Sequence, residues 1–251
     1  MELRQPFYAR GPHFAIDLPG ARAVFTTRRG GHSSGPYESL NLGRLTDDDP
    51  GAVERNRRTL EAELGVTLTF VRQVHGADVV TVSSETTQRA RTAGRDELTR
   101  ADGQATGVSG LALAALTADC LPIAVGGEGA VAMLHAGWRG LHDGVIVAGI
   151  AALRELGVQG PLAAAIGPGA GPCCYGVGPE VLAAFADHPQ AVVEGRRLDL
   201  KAIATEQLEH AGVAQVHDLG LCTICAERSL LFSHRRDRGI TGRQAGVAWL
   251  N

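Results

Sequence analysis

The chain has 251 residues, 44% hydrophobic and 20% charged, with a net charge of −3. That is an ordinary globular balance. It excludes a largely disordered chain, and the slight acidity offers no footing for nucleic acid or an anionic membrane as partner. Glycine supplies 33 residues, about twice its usual share, so many backbone positions are expected in tight turns or close approaches.

The N-terminus, Met1-Glu2-Leu3-Arg4-Gln5-Pro6, leads into no apolar run and does not read as a secretory signal. A strand is expected over 21–27, followed by a Gly/Ser loop over 28–36 rich in hydrogen-bond donors. Pro50 in a first turn, Asp49 as cap and Gly65 beyond the end predict a helix over 50–64. Segments 67–74 and 78–83 read as strands, and the polar segment 88–100 as an exposed loop or short helix. The longest apolar stretch, 108–125, is broken by Thr117, Asp119 and Pro122 and falls short of the ~18 residues a membrane span needs. Within it 111–116 reads as a buried strand, and 130–134 as another that ends at His135. Helices are expected over 144–156, 178–186 and 199–210, the first closed by Gly157 and the last by Gly212. Strands are expected at 162–166 and 247–250. These elements mix without alternating as βαβ units, which predicts an α+β fold with mixed sheets, and no composition break divides 1–251 into two domains.

Five cysteines without a signal point to reduced thiols, a metal site or a catalytic thiol rather than a disulfide framework, and the expected compartment is the cytoplasm. Three side chains that can bind a metal follow or end apolar strands: His75, Cys120 and His135. Two imidazoles and a thiolate would leave one tetrahedral zinc position open, as catalysis requires. The same residues allow a metal-free reading in which Cys120 is a nucleophile and His135 its base. The pair Cys222 and Cys225 forms a CxxC, but no histidine sits at zinc-finger spacing from it, so these cysteines read as small buried hydrophobes. The adjacent Cys173 and Cys174 are expected to pack or line a turn rather than share an ion. The loop 28–36 offers backbone amides to an anion but lacks the GK[ST] and GxGxxG patterns. Arg139 and Arg243 sit in Gly-flanked turns, where a fixed guanidinium suits an anion.

Several segments in one order resemble the YfiH-type family, long labelled multicopper polyphenol oxidase or laccase-domain proteins. They include Thr27-Arg28-Arg29-Gly30-Gly31, Ser39-Leu40-Asn41-Leu42-Gly43, Gln73-Val74-His75-Gly76, Ala101-Asp102-Gly103, Thr117-Ala118-Asp119-Cys120, His135-Ala136-Gly137-Trp138-Arg139-Gly140 and Cys222-Thr223-Ile224-Cys225. The resemblance implies a single-domain α/β/β/α sandwich. It implies a purine nucleoside phosphorylase acting on adenosine, inosine, guanosine and methylthioadenosine with phosphate, with adenosine deaminase activity besides. It implies zinc on His75, Cys120 and His135, and a substrate and phosphate pocket lined by Arg28, Ser39, Asn41, Gln73, Arg139 and Arg243. Copper could occupy the same ligands in vitro, but laccase chemistry needs far more clustered histidines than nine scattered ones supply. A structural-zinc binding module without activity is the remaining alternative, and monomer and dimer both stay open. The chain departs from the family at Arg44-Leu45-Thr46, where relatives often carry a histidine, and at His234, where they often carry tyrosine.

Overall fold

A computed structural model describes residues 3–86, 98–194 and 196–251. Two mixed six-stranded sheets carry the fold. The first runs β1 (Tyr8–Arg10), β2 (His13–Leu18), β3 (Ala21–Phe25), β14 (Gln244–Leu250), β7 (Leu111–Thr117), β4 (Thr67–Thr69). The second runs β13 (Val213–Asp218), β10 (Leu162–Ile166), β8 (Leu121–Gly127), β9 (Ala130–Ala136), β6 (Gly103–Thr106), β5 (Val79–Thr81). The pairs β4–β7, β5–β6 and β10–β13 are parallel, and the other neighbours in both sheets are antiparallel.

Strand parity sorts the core into layers, because successive side chains leave opposite faces of a sheet. Phe25, Leu113, Ala124 and Met133 meet in the apolar layer between the sheets. Their neighbours Val24 and Ala114 turn outward from the first sheet to pack with Leu60 and Leu64 of helix α1 (Pro50–Leu64). On the second sheet, Val125 and Leu134 turn outward to meet Ile146 and Leu153 of α3 (Val145–Glu155) and Ile203 and Leu208 of α5 (Leu200–His210). The result is the expected α+β class, layered as helix, sheet, sheet, helix. Asp49 caps α1 by accepting from Gly51 and Ala52, and Asp199 caps α5 from Lys201 and Ala202.

Several boundaries differ from expectation. The strand expected over 67–74 stops at Thr69, and the chain continues as irregular backbone toward His75. The apolar stretch 108–125 is two strands, β7 and β8, that belong to different sheets and meet at an Ala118-Asp119-Cys120 corner. Because both faces of each strand are covered, the apolar residues run on without alternation, and β8 was not separable by pattern. β9 extends through Ala136, so His135 lies within the strand rather than beyond its end. The helix expected over 144–156 is preceded by a separate short helix α2 (Trp138–Asp143), with Gly144 at φ 94° between the two. α4 (Pro179–Ala184) is shorter than the helix expected there, and a small ribbon pairs β11 (Val192–Val193) with β12 (Arg197–Leu198). Strands β1, β2, β6 and β13 are not expected from the sequence pattern. Most of the segment expected as loop or helix over 88–100 lies outside the described residues. No described helix is long and apolar enough to cross a membrane.

Buried His13 gives the fold a pH dependence. Its Nδ1 accepts from Thr27 N at 3.2 Å, while Nε2 has no hydrogen-bond partner and lies 3.6 Å from Glu63. Burial, helped by Arg10, holds its pKa down at about 4. The unfolded chain therefore takes up this proton first as pH falls. Stability is full above about pH 6.5 and drops toward pH 4, by up to about 3 kcal/mol. In His13→Asn, which keeps an acceptor for Thr27, urea midpoints measured from pH 7 to 4.5 should fall less steeply; an unchanged slope would assign the acid sensitivity elsewhere.

Candidate metal centre and its cleft

At one end of the sandwich the chain passes between the sheets several times. His75 sits between β4 of the first sheet and β5 of the second, and Cys120 between β7 and β8. His135 stands beside them on β9, paired with Pro122 of β8. One ligand atom from each of His75, Cys120 and His135 falls within 4.8 Å of the others. The two rings meet edge-on, with centroids 4.9 Å apart.

The backbone around the ligands is shaped for this meeting. His75 and Asp119 both take positive φ, 61° and 101°, which costs a non-glycine residue conformational energy unless neighbours hold it. Asp119 is held at its carboxylate by Thr223 Oγ1 at 2.6 Å and Arg235 N at 2.7 Å, and at its carbonyl by Ala170 N at 2.7 Å. The glycines of His-Ala-Gly-Trp-Arg-Gly have steric reasons. A Cβ on Gly137 would sit 3.0 Å from Cys120 Sγ, and one on Gly140 would sit 2.9 Å from the Gly76 carbonyl.

Asp102 organises the centre. Its side chain is fully buried and accepts from the backbone N–H groups of Val74, His75 and Gly76 at 2.7–3.0 Å. It also lies 2.8 Å from His135 Nδ1. Burial would raise this carboxyl, but His135 and those N–H groups hold its pKa below the ordinary value. An ionised Asp102 fixes the Nδ1–H tautomer and leaves His135 Nε2 free to act as ligand or base. Asp102 lies in the Ala101-Asp102-Gly103 motif, and nothing in the sequence assigns it this role, because its contacts come from a strand pairing the sequence does not display.

The electrostatics concentrate charge on the sulfur. Burial alone would push the Cys120 thiol up; His135 and His75 outweigh it and bring the thiol to about 6. Burial likewise works against the His135 cation, and the opposing charges of Cys120 and Asp102 raise its pKa. Without metal, the residues therefore support a thiolate–imidazolium pair. The donor set, its spacing and the ionised carboxylate behind His135 also fit a zinc ion with one position open.

The three candidate ligands line a cleft of about 420 Å³. Its walls carry Arg44, Arg57, Arg72, Arg235 and Arg243, with Phe70, Tyr175 and His234 as rings. Arg44 pairs with Glu54 at 2.5 Å, while Arg57 donates to the Leu42 carbonyl and lies over Phe70 at 3.7 Å. Arg235 lies over Tyr175 at 4.6 Å. Arg243 is held by the Thr241 and Gly242 carbonyls at 3.1 and 2.9 Å.

The sequence-predicted pocket residues divide. Gln73 and Arg243 line the cleft, although both amide atoms of Gln73 are engaged by Leu116 at 2.8 Å. Arg28 and Ser39 instead line a separate basic cleft with Arg228 and Arg236. Asn41 is fully buried and ties its own loop, donating to Thr46 and Asp48 and accepting from Gly43 N and Arg243 N. Arg139 is exposed, lies over its neighbour Trp138 at 4.2 Å, and is not among the lining residues. The reading of the CxxC cysteines as buried hydrophobes is overturned. Cys222 is half-buried and Cys225 exposed, and both come within 4.8 Å of Cys173 and Cys174.

Comparison with known proteins gives a consistent picture. The sequence model of a family described as multi-copper polyphenol oxidoreductase laccase matches residues 22–251. A purine nucleoside phosphorylase of Streptomyces coelicolor is 41% identical over 244 residues, covering 92% of this chain and 96% of the relative. The purine nucleoside phosphorylase YlmD of Geobacillus stearothermophilus is 38% identical over 251 residues, covering 91% and 90%. Among solved structures, the YfiH protein of Bacillus licheniformis superposes with a TM-score of 0.91 at 32% identity, covering 99% of this chain and 100% of its own. The Geobacillus YlmD structure gives 0.88 at 35% identity, covering 99% and 98%.

Proposed function

The chain belongs to the YfiH-type laccase-domain family, and from that premise we propose that it is a zinc-dependent purine nucleoside phosphorylase of a single domain, with adenosine deaminase activity at the same centre. The observation that carries this reading is a Cys/His₂ donor set at the wall of an arginine-rich cleft. His75, Cys120 and His135 would hold zinc there, and the ion would supply Lewis acidity.

The chain's own residues do the rest. Phosphorolysis needs a phosphate held against C1′ of the sugar while the purine leaves with its electron pair. Arg243 is the cleft guanidinium placed to hold that anion. Its pKa is lowered by burial and supported by the nearby Cys120 and Asp119 charges, and its position is locked by Asn41, Thr241 and Gly242. Tyr175 and Phe70 offer ring faces to a flat base. His135, backed by Asp102, carries a mobile proton on Nε2 when no metal holds that atom.

A metal-free cysteine hydrolase is the second reading, favoured by the low thiol pKa of Cys120. The oxidase label finds no matching copper cluster among the described residues, whose metal-competent groups are this one and a set of four cysteines.

Chromatography of adenosine and inosine incubated with the protein, with and without phosphate, tests the reading. Phosphate-dependent release of adenine or hypoxanthine is expected, together with phosphate-independent conversion of adenosine to inosine. Absence of any product from either nucleoside would sink it. In Arg243→Ala the KM for phosphate should rise at least about tenfold, the loss of one charge-assisted contact. An unchanged KM would move the phosphate to the Arg28 cleft.

A further inference from the structure

We propose that Cys173, Cys174, Cys222 and Cys225 form a second, structural zinc site that clasps two loops behind the cleft. The four sulfurs lie within 4.8 Å of one another. A single zinc ion with Zn–S bonds of about 2.3 Å sets its four sulfurs roughly 3.8 Å apart, so small side-chain adjustments suffice. Clusters of several irons would spread their cysteines more widely.

The backbone is built around the sulfurs. In the first loop, Cys174 N and Tyr175 N both donate to the Gly171 carbonyl at 3.0 Å, which curls the chain so that adjacent cysteines face one point. In the second, Ala226 N donates to the Cys222 carbonyl at 3.0 Å and closes the CxxC turn. Cys222 Sγ receives Gly171 N–H at 3.2 Å. Backbone amides directed at sulfur stabilise a thiolate, the form that binds metal and not the form in a disulfide. Cys173 Sγ and Cys225 Sγ approach to 3.5 Å, beyond the ~2.05 Å of a covalent bridge. A side chain at Gly171 would press on this group, since its Cβ would lie 3.1 Å from Cys222 Cβ and 3.5 Å from Cys173 Sγ. Four protein ligands close the coordination shell, which is the structural rather than the catalytic pattern.

The two loops also build the cleft. Cys174 is followed by Tyr175 of the cleft wall, and Cys222 by Thr223, whose hydroxyl holds Asp119 beside Cys120. Apart from the sulfurs, the loops meet through a few backbone bonds, including Gly169 N to Leu221 O and Thr223 N to Gly169 O. A metal clasp would fix Tyr175 and Asp119 without entering the reaction.

The test is metal content per chain by mass spectrometry. Cys225→Ser should lose one zinc equivalent relative to wild type, and Cys225→His, which restores a ligand, should recover it. The readout is the equivalent lost with Cys225, so it stands whether or not His75, Cys120 and His135 hold a metal. In unaltered protein, iodoacetamide should spare the exposed Cys173 and Cys225 until a chelator is added, which decides the matter if Cys225→Ser fails to fold. Immediate alkylation of both thiols, an unchanged zinc content in Cys225→Ser, or a mass two hydrogens lighter from a disulfide would each overturn the proposal.

Discussion

Replacing His75 with alanine is expected to abolish metal binding at the cleft and lower kcat/KM for nucleoside at least about 1000-fold, the scale of losing a Lewis acid from a transition state. The substitution separates the two chemistries these residues allow. It leaves Cys120 and His135 in place, with Asp102 still behind the imidazole. A metal-free dyad would lose only one hydrogen bond and one nearby charge from its thiolate, and its activity would fall modestly as the thiol pKa rose. A two-ligand remnant cannot hold zinc at working concentrations, so the metal reading predicts joint loss of zinc and turnover. Cys120→Ala should match it in both respects. Metal analysis beside initial rates for both variants checks the prediction; turnover retained in His75→Ala would establish the dyad.

How much of this was visible in the sequence depended on how local each feature is. Helix α1 is fixed by Asp49, Pro50 and Gly65 within one continuous segment, and its bounds were read to the residue. His75, Cys120 and His135 stood out as candidate ligands by residue type and by the family motifs that contain them, and the structure brings one ligand atom of each within 4.8 Å of the others. The two-sheet layering was not readable from pattern alone: the 108–125 stretch shows one apolar block, while the chain turns at Asp119 from one sheet to the other. The resemblance implies pocket roles for Ser39 and Asn41, whereas in the structure Asn41 spends its amide on its own loop and Ser39 donates to the Arg28 carbonyl. Arg57 and Arg235 reach the cleft from a helix and a turn far apart in the chain, and no spacing announces them. The four cysteines illustrate the same limit. Adjacency of Cys173 and Cys174 argues against shared chelation by pattern alone, whereas the turn at Gly171 and the distant CxxC bring all four sulfurs within 4.8 Å of one another.

Asp102→Asn is expected to weaken metal binding by about 100-fold, the upper end of the loss seen when a partner behind a ligand histidine is removed, with turnover falling in parallel. The carboxylate receives four donors: three backbone N–H groups of the His75 segment and the Nδ1–H of His135. An asparagine amide offers one acceptor oxygen and turns an NH₂ group toward donors that need acceptors. Whichever way it flips, either the Val74 and Gly76 N–H groups or the His75 N–H and His135 Nδ1–H face a donor inside a fully buried site, at a cost of about 1–3 kcal/mol for each unpaired group. One flip lets the His75 backbone leave its positive φ; the other frees the His135 ring to adopt the tautomer that withdraws Nε2 as a ligand. Both routes damage the metal centre without removing a ligand. Competition with a chromophoric chelator should therefore show a weaker zinc site in Asp102→Asn, and excess zinc should recover part of the lost rate, whereas it should recover none in Cys120→Ala. An Asp102→Asn protein that binds zinc as tightly as the wild type would show that His135 and the His75 backbone are held by the strands themselves, leaving Asp102 to the packing of β6.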